Sequence, residues 1–190
     1  RALQELFSLA VNKGISTEQA LEELYPQFLE RIDEIKAIRA AYAKYKLQNA
    51  YVDFDDLLVL LLALLKNPIT RKRIQNRYDH ILVDEFQDTN HLQGEIALAL
   101  AERHQSVMVV GDDAQSIYGW RGAKVGNILE FPKQFPSCEV INLEDNYRST
   151  QAILDTANAV LLDMQDAFSK TMRAAAAGAG EKPRLHVFED

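Results

Sequence analysis

The sequence predicts an α/β protein, a helical amino-terminal third followed by a parallel sheet whose strands alternate with helices. Three observations carry this. Residues 1–66 hold one glycine, Gly14, and one proline, Pro26, and space apolar side chains helically, as in Leu29, Ile32, Ile35 and Ile38. Beyond Tyr78 come two short β-branched runs, His80-Ile-Leu-Val-Asp84 and Ser106-Val-Met-Val-Val-Gly-Asp112, each ending in acid and separated by a helical segment. A third run, Cys138-Glu-Val-Ile-Asn-Leu143, follows a helical segment at 125–131 and a loop with Pro132 and Pro136, so strand and helix alternate three times.

Within each region, local chemistry sets the expected boundaries. Lys13-Gly14 breaks the first helix, and Ser16-Thr17-Glu18-Gln19 has the form of a capping box that opens the next. Pro26 should close that helix. Residues 54–66 are apolar nearly all round, which predicts a helix buried on most sides, with Asp53, Asp55 and Asp56 at its positive amino end. Asn67-Pro68 supplies an N-cap and a first-turn proline for a short basic helix at 69–77. Its cluster Arg71-Lys-Arg73 with Arg77 could touch a DNA backbone, but such a run is more often a solvated face. Ser149 or Thr150 can cap a last helix through Leu162; a small-residue stretch at 174–180 and a strand at 184–188 follow.

Composition narrows the functional classes. The 190 residues are 47% apolar and 26% charged, enough for one or two compact domains. Lysine and arginine total 21 against 28 acids, a net charge of −7, so any nucleic-acid contact must be local rather than a bulk positive field. A single cysteine, Cys138, allows neither an internal disulfide nor a cysteine zinc cluster and points to a reducing, cytoplasmic setting. His80, His91, His104 and His186 lack paired metal-ligand spacing, which argues against zinc. The longest apolar run, 57–65, is about half the roughly 20 residues that span a bilayer. Opening on Arg1 without a methionine, the chain reads as a piece of a longer protein.

Chemistry concentrates at the ends of the first two strands. Ile81-Leu-Val-Asp84-Glu85 delivers two carboxylates to the edge where open α/β sheets place their ligands. One acid there could hold Mg²⁺ while the other reaches an attacking water. Taken alone, such acids more often cap the next helix or lie in solvent. Phe86-Gln-Asp-Thr-Asn90 follows at once, however, and the second strand runs into Gly111-Asp-Asp-Ala-Gln115-Ser-Ile-Tyr118-Gly-Trp120-Arg121-Gly122.

This combination resembles the UvrD/Rep/PcrA family of superfamily 1 DNA helicases. Its motif II corresponds to VDEFQDTN, motif III to GDDAQSIYGWRGA and motif IV to NLEDNYRST at 142–150, and Tyr51-Val-Asp-Phe-Asp-Asp-Leu-Leu58 is similar to the family's FDDLL segment. The likeness covers residues 50–190, with 1–49 compatible. It implies a partial RecA-like lobe of the P-loop NTPase type: 1–66 as a helical subdomain resembling 1B and joining 1A, 67–141 as the later part of the first lobe, and 142–190 as the start of a second.

The resemblance also implies roles for particular residues. Asp84 would coordinate Mg²⁺, Glu85 would orient or deprotonate the water that attacks the γ-phosphate of ATP, and Gln115 would sense that phosphate. Tyr118 and Trp120 would stack on bases of single-stranded DNA, with Arg121 supporting that surface near the backbone. Tyr147 would stack on adenine and Arg148 would act as the arginine finger. The physics is compatible: aromatic stacking is worth about 1–3 kcal/mol per base and tolerates any sequence, and an arginine finger stabilises charge on the transferring phosphoryl group.

The implied activity is ATP-dependent 3′-to-5′ translocation on single strands and unwinding at single-strand/duplex junctions, in repair or replication. Two departures bear on this. Ala114 stands where the family usually has a third acid, and the Ala-rich stretch at 173–180 lacks the usual aromatic. A Gly-x-x-x-x-Gly-Lys-[Ser/Thr] phosphate loop is also absent; Gly178-Ala-Gly180-Glu-Lys182 lacks its order, and Pro183 would interrupt the helix that should follow. The chain by itself is therefore expected to be inactive. The alternatives are a fragment of a RecB/AddA-type helicase-nuclease and a non-hydrolysing module that binds DNA or a partner.

Overall fold

In the computed structural model, which describes residues 1–135, 137–164, 167–175, 178 and 180–188, helix α1 spans Ala2–Lys13 and stops at Gly14. Gly14 adopts a left-handed conformation (φ 67°) that returns its amide and that of Ile15 to the carbonyls of Val11 and Ala10. Helix α2, Thr17–Leu24, opens with the expected box: Ser16 Oγ accepts the Gln19 amide at 3.0 Å and Gln19 Oε1 accepts the Ser16 amide at 2.9 Å. Pro26 ends α2 as an α-helix but starts a tighter 3₁₀ turn, Pro26–Arg31, that runs into α3, Ile32–Gln48. Leu6, Leu9 and Ala10 of α1 bury against Ala20 and Leu21 of α2 and Ile35 of α3, forming one core.

Helix α4, Phe54–Lys66, differs from expectation. Leu62 and Leu65 are buried, whereas Phe54 is 88% exposed and Leu57, Leu60 and Leu64 are about half exposed. Its main partners are α1, α5 (Pro68–Gln75) and α6 (His91–Ala101). The α6 contact buries Leu62 and Leu65 with Ile96 in a second core and leaves other leucines of α4 facing out, because side chains 100° apart around a helix cannot share one neighbour. Asn67 caps α5, its Oδ1 accepting the amides of Ile69 and Thr70 at 3.0 and 3.3 Å.

Strands β1 (Ile81–Val83) and β2 (Val107–Val109) pair in parallel, Ile81 with Val107 and Val83 with Val109, and α6 makes the connection between them. After β2 the chain makes 3₁₀ turns at Asp113–Gln115 and Gly119–Arg121. The helix expected at 125–131 forms as two short pieces, α7 (Gly126–Leu129) and α8 (Phe131–Gln134).

The chain divides into two units, residues 1–131 and 132–190. In the second, β3 (Asp145–Asn146) and β4 (Arg173–Ala174) form a two-residue parallel pair, with α9 (Gln151–Leu161) between them in sequence. Asn158 ties α9 to the chain before β4 by donating to the Met172 carbonyl at 2.9 Å and accepting its amide at 3.0 Å. Thr150 occupies the N-cap of α9, but no side chain makes the capping bond.

Three expectations fail in this unit. The run 138–143 is not a strand, and Ile141 and Leu143 lie exposed; pairing begins only at Asp145. Residues 184–188 form no strand either, with Leu185, Val187 and Phe188 exposed. Thr150, finally, does not cap through its hydroxyl. β-Propensity records fit to a half-buried sheet surface, and neither apolar run has a partner edge among the described residues. Of the small-residue stretch at 174–180, residues 176, 177 and 179 lie outside the described residues. The described strands thus make two separate parallel pairs, a mixed α/β architecture in which helix predominates.

Candidate functional site

The turn after β1 is shaped by Phe86. Its ring is 1% exposed and meets Phe131 edge to face at 5.6 Å, and its amide donates to the Val110 carbonyl at 2.9 Å, which extends the β1–β2 ladder. Anchoring Phe86 inward forces the preceding residue to turn sharply. Glu85 accordingly sits in the left-handed region at φ 51°, a conformation that costs a non-glycine residue about 1–2 kcal/mol. Asp84 Oδ1 accepts the Glu85 amide at 2.9 Å. Both carboxylates are exposed at the carboxyl end of the strand.

A buried amide joins this turn to the end of β2. Gln87 is 1% exposed; its Nε2 donates to Glu85 Oε2 at 2.8 Å, and its Oε1 accepts the Asp112 amide at 3.1 Å. Asp112 in turn accepts the Gln115 side-chain amide at 2.7 Å through Oδ2 and the Ala114 backbone amide at 3.1 Å through Oδ1. Space for Gln87 depends on Gly111, where an added Cβ would lie 2.4 Å from Gln87 Oε1. Two predicted residues that follow different strands, Glu85 and Gln115, are thus connected through the Gln87 side chain and through Asp112, whose backbone amide meets Gln87 and whose carboxylate meets Gln115.

Asparagines fix the next stretch. Asn90 caps α6 with Gln93 in a reciprocal box and donates to Asn12 Oδ1 at 2.8 Å, while Asn12 donates to Ser8 Oγ at 3.1 Å and Asp55 Oδ1 at 3.2 Å. Asn127 Nδ2 serves the Thr89 carbonyl, the Thr89 hydroxyl and the Asn90 carbonyl within 3.1 Å. Helices α1, α4 and α7 therefore hold the loop that carries the acids.

Tyr118, Trp120 and Arg121 come together on the surface. The Arg121 guanidinium lies 5.4 Å from the Tyr118 ring centre and 5.3 Å from that of Trp120, within cation–π range of both. Trp120 is 72% exposed, an unusual position for so large an apolar ring. Beside it a cleft of about 340 Å³ is lined by Asp88, Asn90, Gln93, Tyr118, Arg121 and Ala123. Asp88 Oδ1 is buried and has no hydrogen-bond partner among the described residues.

Tyr147 and Arg148 form a separate group in the second unit. Both are exposed, and their turn is held by Asn146 Oδ1, which accepts the amides of Arg148 at 2.9 Å and Ser149 at 2.7 Å. In the basic cluster, Arg71 pairs with Glu102. A nucleotide-bound Mg²⁺ takes one or two carboxylates, with phosphate oxygens and water filling its other positions. The exposed Asp84 carboxylate fits that donor set. Among the described residues no group of three His, Cys, Asp or Glu side chains could hold an ion unaided.

Sequence reasoning missed Gln87 and the asparagine net. Gln87 stands inside the quoted Phe-Gln-Asp-Thr-Asn string, but its inward direction follows only from the turn that Phe86 imposes. Asn12 lies 78 residues from Asn90 and carries no local signal.

Comparison with known proteins identifies the family. Residues 1–136 match the family model for the UvrD/REP helicase N-terminal domain. The chain is 45% identical over 162 residues to an ATP-dependent DNA helicase PcrA of Leuconostoc citreum, covering 85% of this chain and 21% of that protein. It is 46% identical over 151 residues to a DNA helicase II of Rickettsia typhi, 79% of this chain and 23% of the relative, and 46% identical over 128 residues to PcrA of Bacillus subtilis, 67% and 17%. The chain spans about a fifth of the length of these curated relatives. A motif-bearing turn between parallel strands, an exposed aromatic pair and a family match over most of the chain lead to one conclusion: this chain belongs to the UvrD/REP helicase family, of the UvrD/PcrA type.

Proposed function

We propose that the chain is the central part of an ATP-driven motor that moves 3′ to 5′ along single-stranded DNA and unwinds duplex at junctions. The observation that carries this is the connection of Glu85 to Gln115 through Gln87 and Asp112, directly upstream of the exposed Tyr118–Trp120 pair. A group that activates water, one that reads phosphate and a surface that grips bases then lie on the two loops that follow the paired strands β1 and β2.

In this reading residues 1–66 form a 1B-like helical part, 67–141 the later part of a RecA-like first lobe and 142–190 the start of a second. Asp84 would hold Mg²⁺, which would neutralise charge on the phosphate oxygens of ATP. Glu85 accepts a hydrogen bond from the attacking water and takes up its proton. Gln115 contacts the γ-phosphate, and a shift of its side chain reaches Tyr118 and Trp120 along the loop. Tyr118 and Trp120 stack on bases, and Arg121 holds both rings while facing the DNA backbone. Tyr147 stacks on adenine and Arg148 stabilises the transferring phosphoryl group. The chain alone is silent because the phosphate loop must come from elsewhere in the longer protein, which works in the cytoplasm.

Steady-state ATP hydrolysis with Mg²⁺, with and without single-stranded DNA, tests this on the 190-residue chain and on the full-length protein. The expected result is a silent chain and a DNA-stimulated full-length protein whose turnover Glu85→Gln lowers at least about 100-fold while nucleotide binding persists. Turnover unaffected by Glu85→Gln would refute the assignment.

A further inference from the structure

We propose that Gln87 is a positioning residue that holds the Glu85 carboxylate for water activation and ties its placement to Gln115. This rests on the hydrolytic reading above and adds to it a residue that touches neither water nor phosphate.

The amide has only one workable orientation. The Asp112 backbone N–H can only donate, so the atom facing it at 3.1 Å must be the Gln87 oxygen, and the nitrogen must then face Glu85 Oε2 at 2.8 Å. The same nitrogen lies 3.4 Å from Asp88 Oδ2. One carboxylate oxygen of the exposed Glu85 is thus held by the buried Gln87 amide. An exposed glutamate otherwise spreads over several rotamers, because its terminal torsion is broad.

Burial makes the restraint firm. Gln87 is enclosed, the Ser116 hydroxyl donates to its backbone carbonyl at 3.3 Å, and its side-chain oxygen takes up space that a Cβ at residue 111 would enter to within 2.4 Å. Glu85 is held by its neighbours in a left-handed backbone that it would not adopt freely. On the far side, Asp112 accepts the Gln115 side chain at 2.7 Å. Displacement of Gln115 therefore reaches Glu85 through the half-buried Asp112, whose carboxylate meets Gln115 and whose backbone amide meets Gln87. A general base must lie within hydrogen-bond reach of its proton, and a misplacement of about 1 Å can cost about 100-fold in rate.

The test uses the full-length protein and its DNA-stimulated ATP hydrolysis. Gln87→Met keeps the length of the side chain in the same buried space and removes both hydrogen bonds. The expected result is a fall in kcat of at least about tenfold with KM for ATP within about twofold, since only positioning is lost. In a Glu85→Gln background, measured by single turnover, Gln87→Met should cost less than about twofold more, because the group it positions is already gone. A kcat within twofold of wild type, a parallel change in KM, or the full additional loss in the Glu85→Gln background would overturn the inference. If circular dichroism shows Gln87→Met unfolded, Gln87→Glu decides by the same criteria: it keeps an acceptor for the Asp112 amide and loses the donor to Glu85. A wild-type protein without Glu85-dependent hydrolysis would instead overturn the proposed function, and this inference with it.

Discussion

Asp53 performs two tasks that substitution can separate. It caps α4, its Oδ1 accepting the Asp56 amide at 2.9 Å, and it receives the Lys46 ammonium at 2.6 Å and the Tyr42 hydroxyl at 3.1 Å. Lys46 also contacts Asp56 at 2.6 Å, and its side chain is only 15% exposed. Burial pushes the Asp53 carboxyl up, but hydrogen bonds from Lys46, the Asp56 amide and Tyr42, with the Lys46 charge, outweigh it and hold the group below its ordinary value. For Lys46, burial pushes the ammonium down, and the bonds and charges of Asp53 and Asp56 more than restore it, raising it above its ordinary value.

Asp53→Asn keeps a good cap and removes the charge, whereas Asp53→Ala removes both. A charge-assisted hydrogen bond contributes about 1.5–3 kcal/mol. Lys46 keeps Asp56 as a partner and the Asp53 side chain is about a third exposed, so the expected cost of Asp53→Asn is nearer about 1 kcal/mol. Losing the cap adds about 1 kcal/mol more in Asp53→Ala. A carboxyl held low in the folded state contributes stability above its unfolded value of 3.8 and loses it as pH falls through the lower folded value. Lys46, held high, contributes below 10.5 and loses its contribution as pH rises through the higher folded value. Urea unfolding of wild type and Asp53→Asn from pH 7 down to pH 3 should show a gap that is constant in the neutral range and narrows below about pH 3.8. A gap as wide at pH 3 as at pH 7, or Asn and Ala variants of equal stability, would refute this account.

Phe86→Ala empties a fully buried site opposite Phe131 and should lower unfolding free energy by about 3–5 kcal/mol; a urea midpoint equivalent to less than 1 kcal/mol would show that the ring is not what anchors the turn. Trp120→Ala in the full-length protein should weaken single-stranded DNA binding by about 1–3 kcal/mol, read by fluorescence anisotropy. The salt dependence of binding should not change, because a stacking ring neutralises no phosphate, and a reduced salt slope with little loss of affinity would count against stacking.

What the sequence determined by itself is largely what neighbouring residues settle among themselves. The Ser16 box, the Gly14 stop, the Asn67 cap and the alternation that yields β1, α6 and β2 each depend on bonds spanning a few residues. The acids at 84–85 and the aromatics at 118–120 are picked out instead by the resemblance of their strings to the family's motifs, since an acid pair or an aromatic pair alone is an ordinary local feature. The tertiary structure decided the rest. Residues 138–143 have strand composition but stay unpaired, because a strand exists only where a second edge offers its N–H and C=O groups. Helix α4 has leucine on every side but buries only the face that meets neighbours. Gln87 looks like any polar residue after a pair of acids until Phe86 turns it inward beneath Gly111, where an amide shut off from water must find both a donor and an acceptor, and finds them in Asp112 and Glu85.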